Sequence, residues 1–352
     1  MIKQITVPSR PQELKVKALE KSKAFFVFSI LVIIIWMKYL QLATLGQRSY
    51  LRYIITLTGV ISIFIVVGQI SYATGMTLVG VPTSEMANYS LVQARELMGS
   101  NLFFIINLLP FVALFFALLL AIKYIHQRPV WSIFTARNAF DWKRFFVSFS
   151  LFGVVLVGGL GYSVLTNKNI QWNYHVDSFW MLLGISFFIL PLQTAVEELL
   201  FRGYMLQGSI NLFKKPIISA IVSSLVFAVL HMGNPEVETL GPEVLLYYFS
   251  CGLFMALLTV LDDGLELSLG FHTVNNVFGA LMVTNNWQVF QTDALFMDTS
   301  EPVIGFDLWV IVLVFFPMLL FIYHKVYKWK SWGKVLFEKI DLDDNVQKEE
   351  IL

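Results

Sequence analysis

PLQTAVEELLFRGY, residues Pro191–Tyr204, lies in one of the most apolar regions of the chain yet carries three charges. The surrounding segment, from Phe179 to about Ile210, is long enough to cross a bilayer. A glutamate or arginine at mid-bilayer costs roughly 2.5–3.5 kcal/mol by insertion scales unless partners or water compensate, so such a cluster points to function. On a helix, Glu198 and Arg202 stand at i,i+4 on one face and can pair. Glu197 lies about 100° further round the axis. One carboxylate is then neutralised within the helix while its neighbour faces another way. Taken alone, the stretch reads equally well as a helix end at the membrane interface, where charges are ordinary.

Two further stretches separate those readings. SSLVFAVLHMGNP (Ser223–Pro235) places His231 at the end of an apolar run, one turn after Phe227. LGFHTVNNVFG (Leu269–Gly279) places His272 and Asn276 at i,i+4 on one helical face. A lone histidine in an apolar helix is ordinarily a packing residue. Two of them, with an amide and a glutamate pair on separate apolar segments, form a candidate site. EELLFRG, FAVLH and HTVNN resemble, in order and spacing, the EExxxR, FxxxH and HxxxN motifs of the CPBP family of intramembrane proteases. That family includes the eukaryotic type II CaaX prenyl endopeptidase and bacterial proteins like lysostaphin resistance protein A. The resemblance covers about residues 145–325, with Asn275 standing where an aromatic residue often precedes the motif asparagine.

Composition sets the frame. Of 352 residues, 57% are hydrophobic and only 14% charged, against roughly 45–50% and 25% in soluble domains, which marks an integral membrane protein. The net charge of +1 leaves no nucleic-acid footprint. The single cysteine, Cys251, excludes an internal disulfide and a thiolate metal cluster. The Lys-rich residues 1–23 show no cleavable signal pattern, and KEEIL at the end is no CaaX box.

The expected fold is all-α, a polytopic transmembrane bundle of about eight or nine spans. Apolar segments begin near Ala24, Tyr53, Leu102, Phe145, Phe179, Pro216, residue 242, the helix bearing His272, and Phe306. Basic stretches at 126–144, 202–215 and 324–334 should be cytoplasmic, and the Lys/Arg-poor loops at 74–100, 234–243 and 284–305 should face out. The six basic residues of 1–23 favour the cytoplasm, whereas nine spans would put them outside; hence eight or nine. Three regions follow: a membrane accessory region over 1–144, a catalytic core over 145–325, and a charged tail over 326–352. The glycines of GVVLVGGLGYS (Gly153–Ser163) suit close helix packing. Asp262 and Asp263 suit the start of the next helix, and Glu266 reads as its first-turn cap or pairing partner. His126, His175 and His324 sit near segment edges and read as interfacial. Counted at about 1.5 Å per residue, Glu197 and His231 lie more than ~20 Å from the Lys214 turn, but His272 only ~12 Å from its own. The long segment must therefore bend or tilt, with Pro191 the natural break.

The resemblance implies an intramembrane endopeptidase. Carried over residue by residue, Glu197 is the general base, His231 helps hold the water, and His272 and Asn276 serve the oxyanion. Glu198 with Arg202 is the structural pair, and Phe227 packs beside the site. No cofactor is favoured; zinc held by Glu197, His231 and His272 is the alternative. The implied partners are the lipid bilayer and a hydrophobic or lipid-anchored peptide or protein substrate, without nucleic acid. The expected location is the bacterial cytoplasmic (inner) membrane. A non-enzymatic membrane protein, such as a bacteriocin-immunity factor or scaffold, is the rival class.

Overall fold

In a computed structural model of the chain, the residues described are 37–342. The basic N-terminal stretch, most of the first apolar run and the end of the tail lie outside them. Eight apolar helices carry the described fold. They are α1 (Tyr50–Leu78), α2 (Ser100–Ile125), α3 (Trp142–Thr166), α4 (Val176–Phe213), α5 (Pro216–Leu230), α6 (Val244–Asp262), α7 (Glu266–Leu281) and α8 (Leu308–Tyr327). Six of these, all but α5 and α7, are long and apolar enough to cross a membrane. Helix α5 has 15 residues, or about 22 Å of rise, and α7 has 16. Both are too short to span ~30 Å upright. Leu165 on α3 is 86% exposed, an apolar side chain that only lipid would solvate favourably. The fold class is an all-α membrane bundle.

Helix α7 is the centre. It packs on α3 on one side and on the second half of α4 on the other, while α5 and α6 form their own pair. Phe104 and Leu108 of α2, Leu182, Ile185 and Leu190 of α4, and Val277, Ala280 and Leu281 of α7 close one buried cluster. A short three-stranded sheet, absent from the sequence reading, ties the loop after α3 to the loops after α7. Its strands are β1 (Ile170–Trp172), β2 (Val283–Thr284) and β3 (Phe296–Asp298), in the order β1-β3-β2.

Helix α4 is 38 residues long and interrupted as the proline demands. Its first part ends at Phe188, Ile189 caps it with its N–H still on the Ile185 carbonyl at 2.9 Å, and a second part begins at Leu190. Pro191 then occupies the first turn, where a missing N–H costs nothing. Directly after Glu198 the winding loosens into a π-helical turn, Leu199–Met205, a feature common at functional sites. The Ser223 hydroxyl of α5 donates to the Phe201 carbonyl there at 2.6 Å.

The glycine expectation holds at Gly153, where a Cβ would meet Val274 of α7 at 3.2 Å, and is corrected for the rest of the run. Gly158, Gly159 and Gly161 have nothing within 4 Å of where a Cβ would sit. The tightest approach of α3 and α7 comes from Gly270 on α7, where a Cβ would overlap the Phe145 carbonyl of α3. Beside it, Ser148 donates to the Leu267 carbonyl at 2.6 Å and receives the Tyr323 hydroxyl at 2.7 Å. Gly270→Val is therefore expected to destabilise by about 1–3 kcal/mol through overpacking, while Gly159→Val leaves the protein unchanged. Thermal unfolding in detergent checks this; equal midpoints for the two variants would contradict the packing assignment.

The acidic turn between α6 and α7 is corrected too. Asp262, buried, accepts from Arg137 at 3.0 Å, Arg144 at 2.5 Å and the Trp329 indole at 2.8 Å. Asp263 takes a left-handed backbone (φ 55°) and accepts the Tyr39 N–H at 3.0 Å. Neither caps α7. Glu266, fully buried, pairs with Arg137 at 3.0 Å and accepts the Asp141 N–H at 3.2 Å. These carboxylates bind the linker before α3 to the start of α7. His126 is not interfacial either: it is 2% exposed, with its ring between the Tyr204 hydroxyl at 2.8 Å and the Gln47 carbonyl at 2.9 Å.

Candidate active site

Three helices bring the motif side chains together. The second part of α4 carries Gln193, Glu197 and Glu198; α7 carries His272 and Asn276; α5 ends at His231. The α4–α7 contact is fixed by a hydroxyl pair, Thr194 with Thr273, at 3.0 Å.

Glu198 and Arg202 are both fully buried and ion-paired at 2.8 Å. The same Glu198 oxygen accepts from His272 Nδ1 at 2.8 Å. Arg202 also donates to the Gly252 carbonyl at 3.3 Å and lies 4.3 Å from the Phe227 ring centre, a cation–π contact. The pair is thus wired to the third motif, a link the sequence reading did not contain. A carboxylate can only accept, so the proton of the His272–Glu198 bond sits on Nδ1 and the tautomer is set. His272 Nε2 then faces Glu197 Oε2 at 3.5 Å.

Glu197 is the less buried of the two acids, with 12% of its side chain exposed against 0% for Glu198. Its other oxygen, Oε1, accepts from Gln193 Nε2 at 2.5 Å. Gln193 Oε1 in turn accepts from Asn276 Nδ2 at 3.0 Å, and Asn276 Oδ1 accepts from Asn275 Nδ2 at 3.0 Å.

His231 stands apart from this chain of contacts. Its Nδ1 donates to the Phe227 carbonyl at 2.7 Å, which leaves Nε2 as an acceptor. Its ring lies 4.3 Å from both Phe227 and Tyr248, and Phe227 lies 6.4 Å from His272. Glu197 and Arg202 are the charged groups that act on it, and His272 lies beyond Phe227. The site is therefore two parts on either side of Phe227: a directly bonded group on α4 and α7, and one imidazole at the end of α5.

Among the described residues, no three His, Cys, Asp or Glu side chains are grouped so as to hold a metal ion. Glu197, His231 and His272 do not form the three-ligand set that catalytic zinc requires, and no step below is routed through a metal.

Gln193 and Tyr248 were missed by sequence reasoning, and Asn275 stood out only as a departure from the family pattern, not as a site residue. Gln193 had a usable signal, an amide at i−4 from Glu197 and hence on the same face. Tyr248 had none, being one aromatic residue among many in an apolar helix.

Carboxylate, imidazole and amide groups are thus gathered among the helices of a membrane bundle, the arrangement that the resemblance to the CAAX-type intramembrane proteases implies. Comparison with known proteins agrees. Residues 177–278 match the family described as type II CAAX prenyl endopeptidase Rce1-like. That match spans all three motifs, and the resemblance they carry is thereby shown. The uncharacterized protein YyaK of Bacillus subtilis (strain 168) is 27% identical over 223 residues, 61% of this chain and 73% of that protein. No solved structure matches the chain.

Proposed function

We propose that the protein hydrolyses a peptide bond of a hydrophobic or lipid-anchored peptide or protein in the bacterial cytoplasmic membrane, with water activated by Glu197 and no metal. The observation that carries this reading is the facing pair of Glu197 Oε2 and His272 Nε2, 3.5 Å apart, each held from behind by a hydrogen bond to its other polar atom.

Peptide hydrolysis needs a base for water, donors for the oxyanion and a proton for the leaving amine. Water placed between Glu197 Oε2 and His231 Nε2 gives one proton to the carboxylate as its oxygen bonds to the scissile carbon. The carbonyl electrons move to oxygen, where the second Asn276 N–H donates. The proton held by Glu197 passes to His272 Nε2, which then becomes a donor to the oxyanion. When the C–N bond breaks, that proton leaves with the amine. Glu198, itself held by Arg202, stabilises the imidazolium formed in passing. Glu198 is thus more than an ion-pair partner, because it orients a working imidazole.

The test uses purified protein reconstituted in liposomes after exhaustive chelation. Three probes are offered: a farnesylated CaaX peptide, its unmodified counterpart and a single-span transmembrane peptide, with products identified by mass spectrometry. Cleavage of at least one probe is the expected result. A preparation inactive after chelation and restored by Zn²⁺ would end the metal-free mechanism.

A further inference from the structure

The carboxamide of Gln193 lies between Glu197 and Asn276 and touches both. It sits one turn before Glu197 on α4 and is 6% exposed. Its nitrogen donates to Glu197 Oε1 at 2.5 Å, and its oxygen accepts from Asn276 Nδ2 at 3.0 Å. Glutamine is the side chain whose one head group supplies a donor and an acceptor to partners of opposite need at this reach. A carboxylate here would repel Glu197, and asparagine is one methylene short.

Both partners lose a choice through this contact. Glu197 has two oxygens; Gln193 takes Oε1, so Oε2 alone is left toward His272 Nε2. Asn276 has one oxygen and two N–H groups. Asn275 holds the oxygen and Gln193 holds one N–H, so a single N–H remains free. The amide cannot flip without breaking both bonds. The α4–α7 contact does not depend on this bridge, since the Thr194–Thr273 hydroxyl pair joins the same helices one residue along.

We propose that Gln193 is a positioning residue that selects the working oxygen of the base and the working N–H of the oxyanion donor, and so couples the two halves of the catalytic geometry. This rests on the roles given above to Glu197 and Asn276. Misplacement of a reacting group by about 1 Å is worth up to about 10²-fold in rate.

Gln193→Leu and Gln193→Met, which keep bulk and remove the amide, are expected to lower kcat about 10- to 100-fold on the cleaved probe, with KM within about twofold. Thermal unfolding should stay at the wild-type midpoint. In the Asn276→Ala background, Gln193→Leu should cost less than it does in the wild type, because only its contact with Glu197 is then left to lose. A substrate-free measurement accompanies these: the infrared difference between each protein and its Glu197→Gln form isolates the Glu197 carboxylate band, which should move when the Gln193 amide is removed. Wild-type kcat in both Gln193 variants, multiplicative losses with Asn276→Ala, or an unmoved carboxylate band would each overturn the proposal. Full activity in Glu197→Gln and Asn276→Ala would instead overturn the roles on which it rests.

Discussion

Arg202→Ala is expected to lose about 3–5 kcal/mol of stability and to accumulate poorly in the membrane. Breaking a buried pair leaves the surviving charge uncompensated, and that penalty exceeds what the intact pair contributes over an apolar replacement. Both partners here are fully buried and 2.8 Å apart. The guanidinium also holds the Gly252 carbonyl and covers the Phe227 face, so its removal opens a cavity among α4, α5 and α6. Glu198 would keep His272 as a partner but lose its only cation partner among the described residues. The double variant Glu198→Gln/Arg202→Met separates stability from chemistry. Removing both charges should recover most of the stability, yet activity should stay low because His272 has lost its carboxylate. Normal accumulation of Arg202→Ala with a purely catalytic defect would instead put Arg202 at the reacting atoms.

Glu197→Gln is the second large effect: cleavage is expected to fall by at least about 10³-fold, within the range ascribed to a general base, with folding intact. The substitution keeps shape and leaves one acceptor for Gln193, so thermal unfolding should change little. It removes the base itself, because an amide cannot take a proton from water. Kinetics on the cleaved probe, with unfolding measured on the same preparation, decide the matter. Retained turnover would require another base, and His231, with Nε2 free to accept, is the group that would have to supply it.

The charged and imidazole side chains of the site were legible because lipid makes them costly. A Glu, Arg or His in an apolar run stands out, and helical spacing states which ones share a face. What lipid does not penalise was not legible. Gly158, Gly159 and Gly161 look like a packing seam, but in a bilayer both faces of a helix are apolar, and periodicity cannot say which one meets protein. The close approaches came from Gly153, at the edge of that run, and from Gly270, a single glycine between bulky neighbours. Gln193 escaped because an uncharged amide beside two glutamates draws little notice. Glu266 does open its helix and does find a pairing partner, but that partner, Arg137, and the Arg144 that holds Asp262 lie more than a hundred residues earlier in the chain, and only the folded path makes them neighbours.

The Asp262 clamp also sets an order of assembly. Two of its donors, Arg137 and Arg144, emerge before the carboxylate does; the third, the Trp329 indole, emerges after the last span. Tyr323, which completes the Ser148 hydroxyl bridge at the α3–α7 seam, is equally late. A nascent chain that has inserted α7 but not α8 already contains Glu197, His231, His272 and Asn276, yet the hairpin bearing the last two lacks a buried hydrogen bond at its root and another at its seam. Helix α8 is therefore a late tie on the reactive helix, and a chain made only as far as α7 has its chemistry present but not yet locked in place.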